Sequence, residues 1–281
     1  DSPVSFGSWS PKNYENDYVG SITYRYALQH SRNVAAVKIA DEVGMTKVIK
    51  LAKEMGISTL TDQDYNLSTA LGGLTHGVTP LEMVQAYGVL ANGGIKVQPT
   101  AILKIVDRNG QVVEEHSIQE KRVVDEKDAA IITNMLESVI NGGTGGNAAI
   151  GRPAAGKTGT TDDSKDAWFV GYTPDLVAAV WIGDDYGSET LRGMTGGDTP
   201  AIMWGQFMAN ALANTPASDF PVPSSAQSAI AEGYFNPVKV QPKKDDKKDD
   251  KADKKDDKDK QKDEKARTHQ TKISKRKEII D

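Results

Sequence analysis

From Lys243 to Asp281 the chain is almost pure lysine and aspartate, with 16 basic and 12 acidic residues. Such a segment has too little apolar surface to offset the entropy of ordering it, so residues 243–281 are expected to be disordered. Residues 214–242, rich in proline, serine and alanine, read as a linker. The folding body is therefore confined to residues 1–213, a length that bounds it to one or two domains. The formal charge of −5 hides a split: the tail is net +4 and the preceding 242 residues are net −9. An acidic body with no basic stripe does not neutralise phosphates, which argues against a nucleic-acid partner. Cysteine is absent, which excludes a disulfide scaffold, a thiolate metal site and a cysteine nucleophile. The longest apolar run, Leu176 to Ile182, falls well short of the ~20 residues that span a bilayer. The chain opens at Asp1 with no signal segment, and is expected to be the C-terminal part of a longer protein whose anchor lies upstream.

Along the body, helical periodicity comes first and strand alternation later. A loop over residues 1–16 precedes a helix from about Ile22 to Gly44. Thr46 is placed to cap a second helix, Lys47 to Met55, ended by Gly56. Thr79-Pro80-Leu81-Glu82 carries a capping box and a first-turn proline, opening a helix that runs to Ala91. Two short alternating runs, Ile102–Val106 and Gln111–Val113, flank Asn109-Gly110, a hairpin turn. Asp125 caps a helix over 126–140, and a glycine-rich loop, 141–146, follows. Three strands are expected at 154–160, 167–172 and 176–182, the last two paired antiparallel, and Thr199-Pro200 opens a closing helix to about Ala213. With no regular βαβ alternation, the pattern is α+β: an antiparallel sheet covered by helices.

Gly151-Arg-Pro-Ala-Ala-Gly156-Lys157-Thr158 matches a phosphate-binding loop letter for letter. That motif works only where a buried strand enters the loop and a helix begins at its lysine. Here Gly145 to Ile150 is a poor strand, and Gly159-Thr160-Thr161 is a poor helix opening. Read as a strand, Ala155 to Thr160 does different work. Lys157 and Gly159 face one way and Thr158 and Thr160 the other, yet twist at an edge allows Lys157, Thr158 and Thr160 to share one cleft. Gly159 admits a ligand close to the backbone. An ammonium beside hydroxyls suits a carboxylate, and the Thr160 N–H suits an oxyanion. The same residues also fit an edge strand with a solvated lysine. Ser31-Arg32-Asn33 is weaker still, since serine and asparagine commonly cap helices. Its place between Leu28 and Val34 implies a helix break or a role.

Ser-x-Asn followed much later by Lys-Thr-Gly is the motif order of penicillin-binding proteins and class A β-lactamases. The surrounding text is more specific. Trp9 to Tyr14, Ala27 to Val34, Gly77 to Met83, Ala91 to Gly94, Ala155 to Thr161, Asp166 to Tyr172 and Ala179 to Gly183 together resemble the transpeptidase domain of a class A penicillin-binding protein, over residues 1–213. The resemblance implies a penicillin-binding-protein/β-lactamase-like fold and D,D-transpeptidation of peptidoglycan. A serine attacks the D-Ala-D-Ala stem peptide, and the acyl group passes to the amine of an acceptor stem. It needs neither cofactor nor metal. β-Lactams would imitate the stem. Ser31 would shuttle a proton, Asn33 would bind the substrate amide and the catalytic lysine, and Lys157 would supply charge and support Ser31. Thr158, Gly159 and Thr160 would hold the terminal carboxylate, and the Thr160 N–H would serve the oxyanion. An upstream glycosyltransferase domain and membrane helix are implied, with this part outside the cytoplasmic membrane.

The family's nucleophile belongs to a Ser-x-x-Lys motif that precedes Ser-x-Asn, and nothing before Ser31 matches it. The literal match Ser274-Lys-Arg-Lys277 lies in the tail, which cannot hold a serine near a base. No nucleophile is therefore expected in this chain, and the isolated chain is expected to be inactive. Two other readings stay open: an inactive module that binds peptidoglycan, and a β-lactamase-like serine hydrolase. His30, His76, His116 and His269 fit no metal spacing. Trp168, Phe169 and Trp181 read as strand core.

Overall fold

The computed structural model describes residues 1–161, 164–187 and 189–232. The charged tail, His269 and the Ser274 match lie outside the described residues. Seven α-helices occur among the described residues: α1 (Tyr24–Gln29), α2 (Asn33–Val43), α3 (Met45–Met55), α4 (Pro80–Ala91), α5 (Glu126–Gly142), α6 (Thr199–Ala211) and α7 (Ser224–Ala231). Short strands β1 (Ile95–Val97), β2 (Lys104–Val106), β3 (Val112–Glu115) and β4 (Glu120–Arg122) lie between α4 and α5. Strands β5 (Ala155–Thr160), β6 (Asp166–Tyr172) and β7 (Val177–Gly183) form the main antiparallel sheet in the order β5-β6-β7.

That sheet has helices on both faces. Alternation puts Ala155 and Tyr172 on one face, where they pack against Leu136 and Val139 of α5. Phe169, Ala178 and Val180 point to the other face, against Trp204 and Met208 of α6. The Trp204 indole donates to the carbonyls of Gly171 and Ala178 at 3.3 and 3.1 Å, so its one polar atom is paired inside the core. A separate apolar cluster, Ile49, Ile57, Leu60 and Ala86, joins α3 to α4. The expected α+β architecture, an antiparallel sheet covered by helices, is the one observed.

The capping box opens α4 as its spacing requires. Glu82 does more than cap: its carboxylate accepts from Ser58 N and Oγ, Thr59 N, and Thr79 N and Oγ1. It thereby ties the turn after α3 to the start of α4. Burial alone would raise its pKa, but the bonds from Ser58 and Thr79 outweigh that and hold it at about 2.

Several boundaries differ from expectation. The helical stretch expected from about Ile22 to Gly44 is broken into α1 and α2 at His30–Arg32, where Ser31-Arg32-Asn33 implies a break or a role, and Gly44, rather than Thr46, precedes α3. The hairpin at Asn109-Gly110 forms, while the β1–β4 pairing around it was not legible because three-residue strands carry no period. Residues 214–242 are not all linker: Phe220 stacks edge-on to Tyr172, and α7 buries Ala226 against Ala130, Ile131 and Met135 of α5. No helix among the described residues is long and apolar enough to cross a membrane.

Candidate active site

Ser31 sits where α1 ends. Arg32 N donates to Ala27 O at 2.9 Å and Ser31 N to Leu28 O at 3.2 Å, the paired bonds of a Schellman turn. Its second-last position needs a left-handed backbone, and Ser31 adopts φ +52° there. Glycine is the usual occupant. A side-chain-bearing residue is strained by about 1 kcal/mol, so the serine is held in place by what its hydroxyl meets. That partner is Lys157: its Nζ donates to Ser31 Oγ at 2.7 Å and to Thr158 O at 2.9 Å. Desolvation lowers the Lys157 ammonium to about 8.

Lys157, Gly159 and Ser31 are brought together across 126 residues of sequence by the position of β5 at the sheet edge. No helix starts at Lys157, so the phosphate-loop reading is excluded: Gly156-Lys157-Thr158 lies inside β5, hydrogen-bonded to β6 with Lys157 opposite Val170 and Gly159 opposite Trp168. Nor is Lys157 a solvated edge lysine. A Cβ on Gly159 would come within 3.2 Å of Trp168 Cβ, so the glycine permits close strand pairing. Thr158 and Thr160 reach the same cleft as Lys157. The cleft has a volume of about 1030 Å³ and is lined among others by Tyr14, Ser31, Asn33, Lys157, Thr158 and Thr160.

Asn33 opens α2 and lines this cleft, but its Nδ2 donates to the carbonyl of Lys12 at 3.0 Å rather than to Lys157. The neighbouring Arg32 pairs with Asp1 and Asp17 at 2.7 and 2.8 Å, its side chain 9% exposed. Asn13 adds bonds to Asp1, Asp17 and Val34 N. Residues 1–17 are thus strapped over the start of α2 and form one wall of the cleft. Trp168 and Trp181, expected as core, instead pair across β6 and β7 with ring centroids 6.1 Å apart and remain partly exposed; Phe169 is fully buried.

Two contacts had no signal in the motifs. Thr144, in the loop after α5, shares a 2.7 Å hydrogen bond between its Oγ1 and that of Thr158. The backbone N–H of Gly196, in the loop before α6, donates to Thr160 Oγ1 at 3.1 Å. The sequence marks 141–146 only as a glycine-rich loop, with no sign of these partners.

With this geometry in view, a family model described as the penicillin binding protein transpeptidase domain matches residues 1–193. Penicillin-binding protein 1A of Aquifex aeolicus is 40% identical over 222 residues, covering 79% of this chain and 30% of that protein. Penicillin-binding protein 1A of Clostridium botulinum strain Hall is 38% identical over 236 residues, covering 83% of this chain and 28% of the relative. The chain therefore spans about 30% of the length of these relatives. Among solved structures, penicillin-binding protein 1A of Haemophilus influenzae superposes with a TM-score of 0.74 at 28% identity, covering 80% of this chain and 40% of that one. The PonA1 protein of Mycobacterium tuberculosis in complex with penicillin V superposes with a TM-score of 0.70 at 29% identity, covering 79% and 65% respectively. The sequence match over most of the body and the likeness of fold agree with the motif order, and this chain belongs to the penicillin-binding protein transpeptidase family.

Proposed function

We propose that this chain is the larger part of a D,D-transpeptidase domain that cross-links peptidoglycan stem peptides by serine acyl transfer. The observation that carries the reading is the 2.7 Å contact between Lys157 Nζ and Ser31 Oγ, in a cleft that also presents Thr158 and Thr160. Lysine and serine in contact form a proton path, and the two threonine hydroxyls are placed to bind a carboxylate.

In this reading the attacking serine comes from a Ser-x-x-Lys segment of the parent protein that precedes residue 1. Its Oγ gives its proton to the lysine of the same segment and bonds to the carbonyl carbon of the penultimate D-Ala. The C–N bond to the terminal D-Ala breaks, and Ser31, fed by Lys157, passes the proton to the departing amine. The Thr160 N–H and the nucleophile's own N–H stabilise the oxyanion. The acceptor stem's amine then bonds to that carbonyl carbon as the ester C–O bond breaks, its proton returning to Ser31 and Lys157 while the nucleophile recovers its own. Asn33 would turn from the Lys12 carbonyl to the substrate amide. β-Lactams, which carry a carboxylate beside a strained amide, are bound in place of the stem. The parent acts on the outer face of the cytoplasmic membrane, with its anchor and a glycosyltransferase domain upstream. Within this chain, residues 1–213 supply the partial transpeptidase body, and 243–281 a charged tail.

The test is intact-mass labelling with penicillin on the chain extended upstream through the Ser-x-x-Lys segment, beside a Lys157→Ala version and the chain as it stands. One adduct on the extended protein, much reduced in the variant and absent from the unextended chain, is expected. No adduct on the extended protein would overturn the acyl-transfer reading in favour of an inactive peptidoglycan-binding module. Rapid loss of the adduct by hydrolysis would favour a β-lactamase-like hydrolase.

A further inference from the structure

Two loops grip the hydroxyls of β5 from outside the recognised motifs, and they grip each other. The first is Gly142 to Ala148. Thr144 N donates to Gln29 O, two residues before Ser31, at 3.2 Å, while Thr144 Oγ1 bonds Thr158 Oγ1 at 2.7 Å. A Cβ on Gly143 would run into Gln29 O, and one on Gly145 would lie 3.0 Å from the Phe169 ring. Thr144 is thus flanked by glycines because the backbone is wedged between α1 and the sheet, with only the threonine side chain projecting toward β5. The second loop is Thr195 to Asp198. Asp198 Oδ2 accepts from Thr195 N and Oγ1 at 2.8 and 2.7 Å, and Gly196 N donates to Thr160 Oγ1 at 3.1 Å. Asn147 Nδ2 donates to Gly197 O at 2.8 Å, closing one loop on the other.

The proton inventory gives this arrangement a consequence. A hydroxyl has one proton and two acceptor lone pairs. The Gly196 N–H occupies a lone pair of Thr160, which leaves the Thr160 proton free to turn into the cleft. Lys157 Nζ donates to Thr158 Oγ1 at 3.4 Å, and when Thr144 donates to it as well both lone pairs are occupied and the Thr158 proton is free to turn into the cleft. Both hydroxyls are then donors, the state that a carboxylate needs. We propose that Thr144 is a positioning residue for this site: by donating to Thr158 Oγ1 it sets that hydroxyl as a donor to the ligand carboxylate, with the Gly196 N–H doing the same for Thr160. Because Thr144 also holds Gln29, it fixes the distance from β5 to the turn that bears Ser31.

This inference rests on the acyl-transfer reading, and its test separates the two. Thr144→Val and Thr144→Ser are made in the upstream-extended protein, and the second-order acylation rate is measured with benzylpenicillin and with its methyl ester. Thr144→Val is expected to slow acylation by the free acid about tenfold, the worth of one hydrogen bond to a charged ligand, and to slow the ester little. Thr144→Ser is expected to restore the acid rate, and the melting temperature of each variant is read alongside. An unchanged acid rate in Thr144→Val overturns the proposal while leaving acyl transfer standing. Equal slowing of acid and ester, or failure of serine to rescue, overturns it as well, since that marks a purely structural threonine. No acylation of the unsubstituted protein removes both readings together.

Discussion

Replacing Lys157 separates its chemical from its structural contribution, and the structure gives a size to each. Lys157→Met keeps the length and apolar stem but removes the ammonium that donates to Ser31 Oγ and Thr158 O. A hydrogen bond from a charged group contributes about 1.5–3 kcal/mol, so acylation of the upstream-extended protein should slow about 10–150-fold. Stability should move the other way. The folded ammonium titrates at about 8 against an ordinary 10.5 because the fold desolvates it. Between those values the unfolded chain holds a proton that the folded protein has released. Stability therefore rises with pH through this window, by up to about 1.4 kcal/mol per pH unit. Lys157→Met should abolish that rise and be at least as stable as the parent at pH 7. Urea unfolding from pH 7 to 10.5 on the chain as it stands reads this without any nucleophile. An identical pH slope in the parent and Lys157→Met would show that Lys157 is not desolvated, and an acylation rate within threefold of the parent would show that its contact with Ser31 is not used.

Ser31→Gly should relieve the left-handed backbone, adding up to about 1 kcal/mol of stability by denaturant titration, while acylation collapses for want of the hydroxyl that Lys157 meets. A Cβ at Gly196 would overlap the carbonyl oxygen of Trp168. Gly196→Ala should therefore lift the loop from Thr160 and slow acylation about tenfold, with far-UV circular dichroism unchanged. Glu82→Gln leaves the donors on Ser58, Thr59 and Thr79 without a charged acceptor and should cost about 2–3 kcal/mol at pH 7. Because the Glu82 carboxyl is held at about 2 against an ordinary 4.5, its contribution is complete above pH 4.5 and lost as pH falls toward 2. The acid limb of the parent's stability profile should be shallower in Glu82→Gln.

What could be read from the sequence follows from the range of the interactions involved. The α4 start was legible because Thr79 and Glu82 are three residues apart and bond each other, so the signal and the structure are both local. Strands β6 and β7 were legible as short apolar runs on either side of Thr173-Pro174-Asp175. The break between α1 and α2 shows in the sequence only as the weak signal of Ser31-Arg32-Asn33, because the turn uses Ser31 where glycine would announce it. Residues 224–231 were read as linker for the converse reason: alanine and serine carry little hydrophobic signal, and α7 forms where the surface of α5 gives Ala226 something to bury against.

The candidate site divides along the same line. Lys157, Thr158 and Thr160 stand together in sequence, and a strand places neighbours together in space, so a short motif encodes their cleft. Their control does not reside in the motif. The Lys157 ammonium is tuned by burial, the donor state of Thr158 by Thr144 and that of Thr160 by Gly196, the last two contributed by different loops. A second lysine-threonine-glycine strand on another scaffold would have the same three side chains without those settings. It would lack a lysine lowered toward neutral pH and would have hydroxyls free to turn their lone pairs, instead of their protons, toward a carboxylate. Binding strength in this cleft should therefore respond as much to the loops at 142–148 and 195–198 as to the strand between them.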